Sequence, residues 1–170
     1  MCNSSWNDID VVDATKITEK DLSGYDLIGF ASGIYFGKLH QSVINFAEVN
    51  LPENKDVFLI CTYGGKPVFD SIKKIVKEKQ GRIVGEFSCK GFDTFGLFKL
   101  IGGISKGHPD KNDLDNAKTF FKELERRKWF KSIIMYIVYT YAQKTETLPR
   151  SLCKGLYKNI MEAQVCDGYG

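Results

Sequence analysis

The chain has 170 residues, a net charge of +3, 43% hydrophobic and 26% charged side chains, the balance of one globular domain, residues 1–170, with room for a sizeable core. The basic residues are scattered among acids, which argues against nucleic acid as a partner. The apolar run IIMYIVYTYA is about half as long as a bilayer span, which argues against a membrane partner.

The N-terminal MCNSSWNDID has no basic segment followed by an apolar one, so no signal peptide is expected. Cys2, Cys61, Cys89, Cys153 and Cys166 form no CxxC pair. Free thiols in a reducing cytoplasm are the expectation.

In chain order, IDVVDAT (Ile9 to Thr15) reads as a short β-branched strand, and TEKDL (Thr18 to Leu22) as one helical turn capped by Thr18. YDLIGFAS (Tyr25 to Ser32) is a second strand that breaks into GIYFGKLH, and QSVINFAEV has helical spacing. DVFLICTY (Asp56 to Tyr63) is a third strand, ended by Gly64 and Gly65. VFDSIKKIVKEKQG is an amphipathic helix, with Val68, Ile72, Ile75 and Val76 on one face and Gly81 past its end. Its lysines, Lys73, Lys74, Lys77 and Lys79, read as a solvated surface. RIVGEFSC is a fourth strand, and a Gly-rich segment runs from Lys90 to Asp110. DLDNAKTFFKELERR is a helix with Leu114, Ala117, Phe121 and Leu124 on its apolar side. SIIMYIVY (Ser132 to Tyr139) is a fifth strand, followed by a final helix over about Pro149 to Ala163.

Strands alternate with helices and are apolar on both sides. The fold class is therefore α/β, a doubly wound five-stranded parallel sheet with helices on both faces. Ligands of such sheets bind at the carboxyl ends of the strands. The loops there are ASGIYFGKLH, TYGGKP, CKGFDTFG and TYAQKTET. Aromatics that stack, glycines that admit close backbone approach and hydroxyls before a helix N-terminus together describe a pocket for a flat aromatic cofactor with a phosphate tail. His40 and His108 are too far apart to indicate a metal site: His40 is expected to start a helix or line the cleft, and GHP at Gly107 is expected to be a turn.

YDLIGFASGIYFGKLH, CKGFDTFGLFKLIGGISKGHP and LDNAKTFFKEL resemble the flavodoxin-like family of anaerobic bacteria, over Asp8 to about Leu124. That family begins with a strand and a phosphate loop of pattern [S/T]-x-T-G-x-T. Here SIIMYIVY and TYAQKT stand in that order at the other end of the chain. The resemblance thus implies a circularly permuted flavodoxin-like domain of strand order 2-1-3-4-5, with Ser132 to Tyr139 between IDVVDAT and YDLIGFAS. In TYAQKT, Thr140 and Thr145 match the pattern's hydroxyls, whereas Ala142 replaces a threonine and Gln143 the glycine.

The cofactor implied is FMN. Its ring would lie between Ser32, Gly33, Ile34, Tyr35, Phe36 and Gly37 on one side and Thr62, Tyr63, Gly64 and Gly65 on the other. Its phosphate would be held by Thr140, Tyr141, Ala142, Gln143, Lys144 and Thr145. The backbone carbonyl that meets flavin N5–H would lie near Gly33. The function implied is a cytoplasmic, monomeric electron carrier acting between redox partner proteins, with the flavin as the reacting centre and no catalytic side chain. Two alternatives are a flavin-dependent reductase of a quinone or other small molecule, and a degenerate domain without FMN.

Overall fold

The apolar runs and amphipathic segments fold into one layered α/β unit. The computed structural model describes residues 9–13, 16–92, 100, 102–126 and 133–137. Among these, the strands are β1 (Ile9–Asp13), β2 (Leu27–Tyr35), β3 (Lys38–Leu39), β4 (Asp56–Tyr63), β5 (Arg82–Lys90) and β6 (Ile133–Ile137), and the helices are α1 (Gln41–Asn50), α2 (Asp70–Glu78) and α3 (Lys111–Arg126). The sheet runs in the order β1-β6-β2-β4-β5, and every pairing along this path is parallel. The last strand in sequence, β6, therefore lies inside the sheet. It pairs Ile133 to Ile137 with Ile9 to Asp13 on one side and with Leu27 to Ala31 on the other.

Both faces of the sheet are buried, which is why the strands read as continuous apolar runs rather than alternating ones. On one face Ile28, Phe30, Val57, Leu59, Cys61 and Ile134 join Val43, Phe46 and Ala47 of α1 and Ile72 and Val76 of α2. On the other, Leu27, Ala31, Phe58, Ile60, Ile133 and Met135 pack with Ala117, Phe121 and Leu124 of α3. Each Val, Leu, Ile, Phe or Met among them contributes about 1.5–3 kcal/mol by leaving water. Phe58 is wedged edge-on against Phe121, with ring centroids 5.7 Å apart, and directly opposite Gly29 of β2.

Two details differ from expectation. The sheet has six strands, because β2 continues to Tyr35 and turns back into the antiparallel β3. The pairs Ile34–Leu39 and Tyr35–Lys38 close a two-residue turn at Phe36 and Gly37, both with positive φ (49° and 77°). That is the turn whose twist matches a hairpin; glycine adopts it freely and phenylalanine rarely.

TEKDL forms no helix. The Thr18 carbonyl accepts from Asn50 Nδ2 and the Lys20 N–H donates to Asn50 Oδ1, both at 2.9 Å, so a side chain of α1 captures the groups a helical turn would need. This leaves Leu22 free to enter the core, fully buried. The end of α2 follows expectation: the helix runs to Glu78 with Lys79 as its C-cap, and Gln80 (φ 54°) and Gly81 lie past it. The Gly81 N–H bonds the Val76 carbonyl and the Gln80 N–H the Lys77 carbonyl, which closes the helix end.

Candidate functional site

The carboxyl ends of β2 and β4 lie side by side. Ser32 is aligned with Cys61 and Gly33 with Thr62. Two of the expected loops thus meet: the β2–β3 hairpin, and the segment Gly64 to Phe69 that leads into α2. Gly37 at the hairpin tip, Lys66, Pro67, Val68 and Phe69 of that segment, and Ser88 of β5 line one cleft of about 700 Å³.

The hairpin is held from beneath by Ser32, which is buried. Its Oγ donates to the Gly33 carbonyl at 2.7 Å and accepts from the His40 N–H at 2.9 Å. This hydroxyl therefore fixes the exit of β2 relative to the start of α1. His40 caps α1, its Nδ1 accepting from the Ser42 N–H at 3.2 Å, in keeping with its expected place at a helix start. The Tyr35 ring folds back over Gly33 and meets the His40 ring edge-on, 5.3 Å between centroids. Ile34 and Tyr63 are half-buried and pack on the α1/α2 core. Phe36 projects from the turn and is 85% exposed.

The expected site residues therefore separate into groups. Ser32, Gly33, Ile34 and Tyr35 belong to β2 and Thr62 and Tyr63 to β4, rather than to open loops. Phe36 and Gly37 form the turn, and Gly64 and Gly65 follow β4. Thr140, Tyr141, Ala142, Gln143, Lys144 and Thr145 lie outside the described residues, as does the expected helix from Pro149 to Ala163. In the chain, Thr140 follows three residues after Ile137, the last residue of β6, which is aligned with Ala31 of β2.

The cleft contains side chains that the pattern of residues had assigned to solvent. Lys73 Nζ meets Glu86 Oε1 at 2.8 Å and lies over the Phe69 ring, 5.8 Å from its centroid. It keeps a half-exposed place on the α2 surface and in addition bridges α2 to β5. The signal was present in the strand alternation, because Glu86 and Ser88 of β5 face the same side as the first turn of α2. The Gly-rich segment closes the rear of this end. The Gly91 N–H donates to the Tyr63 carbonyl at 2.8 Å, and Ser105 Oγ lies 3.5 Å from the Gly64 carbonyl.

Two further clusters have structural roles. Asp110 and Asp113 exchange hydrogen bonds, Asp113 N–H to Asp110 Oδ1 at 3.0 Å and Asp110 N–H to Asp113 Oδ2 at 2.9 Å. This is a capping box at the start of α3, and His108 Nδ1 joins it 2.7 Å from Asp113 Oδ2. The three side chains are close enough to hold a cation, but Asp110 Oδ1, Asp113 Oδ2 and His108 Nδ1 are already engaged at the helix start. Cys61 and Cys89 are buried and form no disulfide among the described residues. Burial pushes the Cys61 thiol up to about 12, against a hydrogen bond from the Val68 backbone that favours the thiolate. A thiol so disposed is a core side chain and not a nucleophile. Among the described residues no helix is long and apolar enough to cross a membrane.

The fold and this edge define an α/β protein with a mostly parallel sheet and a ligand-sized cleft where parallel sheets place their sites. The chain belongs to the same family as the uncharacterized protein MJ0298 of Methanocaldococcus jannaschii, to which it is 41% identical over 119 residues, 68% of this chain and 79% of that one. No family model and no solved structure matches it.

Proposed function

We propose that this protein is a flavodoxin-like FMN-binding electron carrier of the cytoplasm, circularly permuted so that its phosphate loop follows the last strand. The observation that carries this reading is the position of β6. In the family's counting the order β1-β6-β2-β4-β5 reads 2-1-3-4-5, with the C-terminal strand in the family's first place. The carboxyl end of β6, three residues before Thr140, is thereby next to the β2 exit and one strand away from Thr62.

The residues at this edge fit a flavin. The hairpin tip at Gly37 and the segment from Lys66 to Phe69 flank a cleft of about 700 Å³, a volume in the range of small-molecule and cofactor sites. At the tip Phe36 and Gly37 both hold positive φ, and Gly37, with no side chain, lines the cleft and leaves its backbone open to a ligand. Of the two positions, Phe36–Gly37 is the better candidate than Gly33 for the carbonyl facing flavin N5. The Gly33 carbonyl already accepts from Ser32, and Gly33 is aligned within the sheet. Tyr63 and Tyr35 would bound the ring, Ser32 would hold the hairpin in place, and Thr140 and Thr145 would donate to the phosphate. When bound, the flavin supplies the one-electron chemistry; the protein orients the ring and excludes water from one side of it.

The absorbance spectrum of the protein as purified, followed by cofactor extraction, tests this reading. A flavin spectrum and extracted FMN are expected. A colourless protein that takes up no added FMN rejects it. Rapid NAD(P)H oxidation with a small-molecule acceptor and no partner protein would instead favour a reductase.

A further inference from the structure

We infer that the carboxyl edge of the sheet docks an acidic protein, and, resting on the flavin reading of the same edge, that this partner is an acidic electron carrier. Four exposed lysines from four separate segments surround the edge. Lys38 follows the hairpin turn. Lys66 shares the cleft with Gly37. Lys90 ends β5 and is aligned with Tyr63. Lys106 follows Ser105, which reaches the Gly64 carbonyl. Among the described residues none of the four forms an ion pair.

Among the described residues, the carboxylates at this edge are largely neutralised or engaged in the helix cap. Asp13 pairs with Lys16 at 3.4 Å and Glu86 with Lys73 at 2.8 Å. Asp110 and Asp113 close the α3 cap. Asp70, in the first turn of α2, faces the same cleft and offsets part of the charge. The opposite edge is mixed, with Asp26, Glu53 and Asp56 beside Lys55 and Arg82. In a chain of net charge only +3, this cationic rim is a local feature and not a consequence of overall basicity. The hairpin turn beside Lys38 carries Phe36, 85% exposed. A protruding aromatic within a charged rim is the composition of a protein–protein contact. Four lysines around an exposed aromatic, offset in part by Asp70, make a smaller and less continuous positive surface than the run of phosphate contacts that holds a duplex, which favours a carboxylate-rich protein surface over nucleic acid.

Complementary charge acts mainly on encounter, raising association rates roughly 10–1,000-fold in a salt-dependent manner. Calorimetric titration of the full chain with a purified acidic iron–sulfur ferredoxin therefore tests the inference, at ionic strengths of about 0.02 M and about 0.5 M, between which the Debye length falls severalfold. Binding should weaken at least about tenfold at the higher salt. Two double variants carry the same change in net charge: Lys66→Glu with Lys106→Glu at the rim, and Lys77→Glu with Lys122→Glu away from it. The rim pair should lose about tenfold in affinity and the remote pair less than about twofold. Equal losses, no binding at low salt, or equally tight binding of a short DNA duplex would overturn the inference. The titration is run with and without added FMN. A rim-specific loss in a chain that binds no FMN leaves the acidic docking surface standing and removes the flavin reading alone.

Discussion

Gly29→Ala probes the packing that fixes the sheet against α3. A Cβ built on Gly29 would stand 2.1 Å from Phe58 Cζ and under 3 Å from both Cε atoms. The Phe58 ring has little freedom to withdraw, because it is fully buried and Phe120 and Phe121 lie 6.3 and 5.7 Å from it. Two effects oppose each other. Alanine restricts the unfolded chain and suits a strand better, a gain of about 0.5–1 kcal/mol. Overpacking a closed core costs about 1–3 kcal/mol, and a contact this short lies toward the upper end. The expected net loss is about 1–2.5 kcal/mol, or roughly 2–10 °C in melting temperature for a chain of this size. Urea denaturation followed by circular dichroism measures it. Phe58→Leu removes the obstructing ring, so the double variant Gly29→Ala/Phe58→Leu should be more stable than the sum of the single losses, with a coupling of at least about 0.5 kcal/mol. Gly24→Ala, where a Cβ meets nothing within 4 Å, is the control and should be neutral or slightly stabilising. Wild-type stability for Gly29→Ala, or additive single losses, would refute the reasoning.

Removing the chain from Lys131 onward deletes the inner strand β6 and should abolish cooperative unfolding; a truncated protein that still melts sharply near the wild-type temperature would contradict the topology. Asp113→Ala opens the α3 capping box and the His108 contact, and should cost about 1 kcal/mol in urea denaturation; an unchanged midpoint would argue against the cap. The Cys61 thiol is raised from 9.0 to about 12 by burial. Its contribution to stability is thus complete below pH 9 and lost as pH rises through the folded-state value, with a slope of at most about 1.36 kcal/mol per pH unit. Wild type should lose stability more steeply than Cys61→Ala across that window, and parallel profiles would show that Cys61 does not titrate this way.

Much of the fold was legible because burial leaves a strong signal. DVFLICTY is β4 from end to end, and the spacing of Ile72, Ile75 and Val76 marks α2. What the pattern missed was decided by partners distant in sequence. Nothing within TEKDL announces that Asn50 will take its backbone groups. The hairpin was hidden because its turn uses Phe36, a residue seldom found at positive φ, in front of the expected Gly37. The cleft was half legible: the glycines and aromatics of its loops were visible, whereas the bridge from Lys73 to Glu86 depends on how α2 lies across β5. His40 was placed correctly at a helix start, but its tie to Ser32 needed the hairpin to be known.

The most direct test of the central claim is a flavin-fluorescence titration of the full chain with FMN and with riboflavin, which lacks the phosphate. The cleft between the β2–β3 hairpin tip and the segment leading into α2 should accept both, and the loop from Thr140 to Thr145 should favour FMN. A charged hydrogen bond contributes about 1.5–3 kcal/mol, so FMN should bind at least about tenfold more tightly than riboflavin, and Thr145→Ala should weaken FMN alone. Equal affinity for the two flavins would contradict the phosphate loop, and binding of neither would contradict the account as a whole.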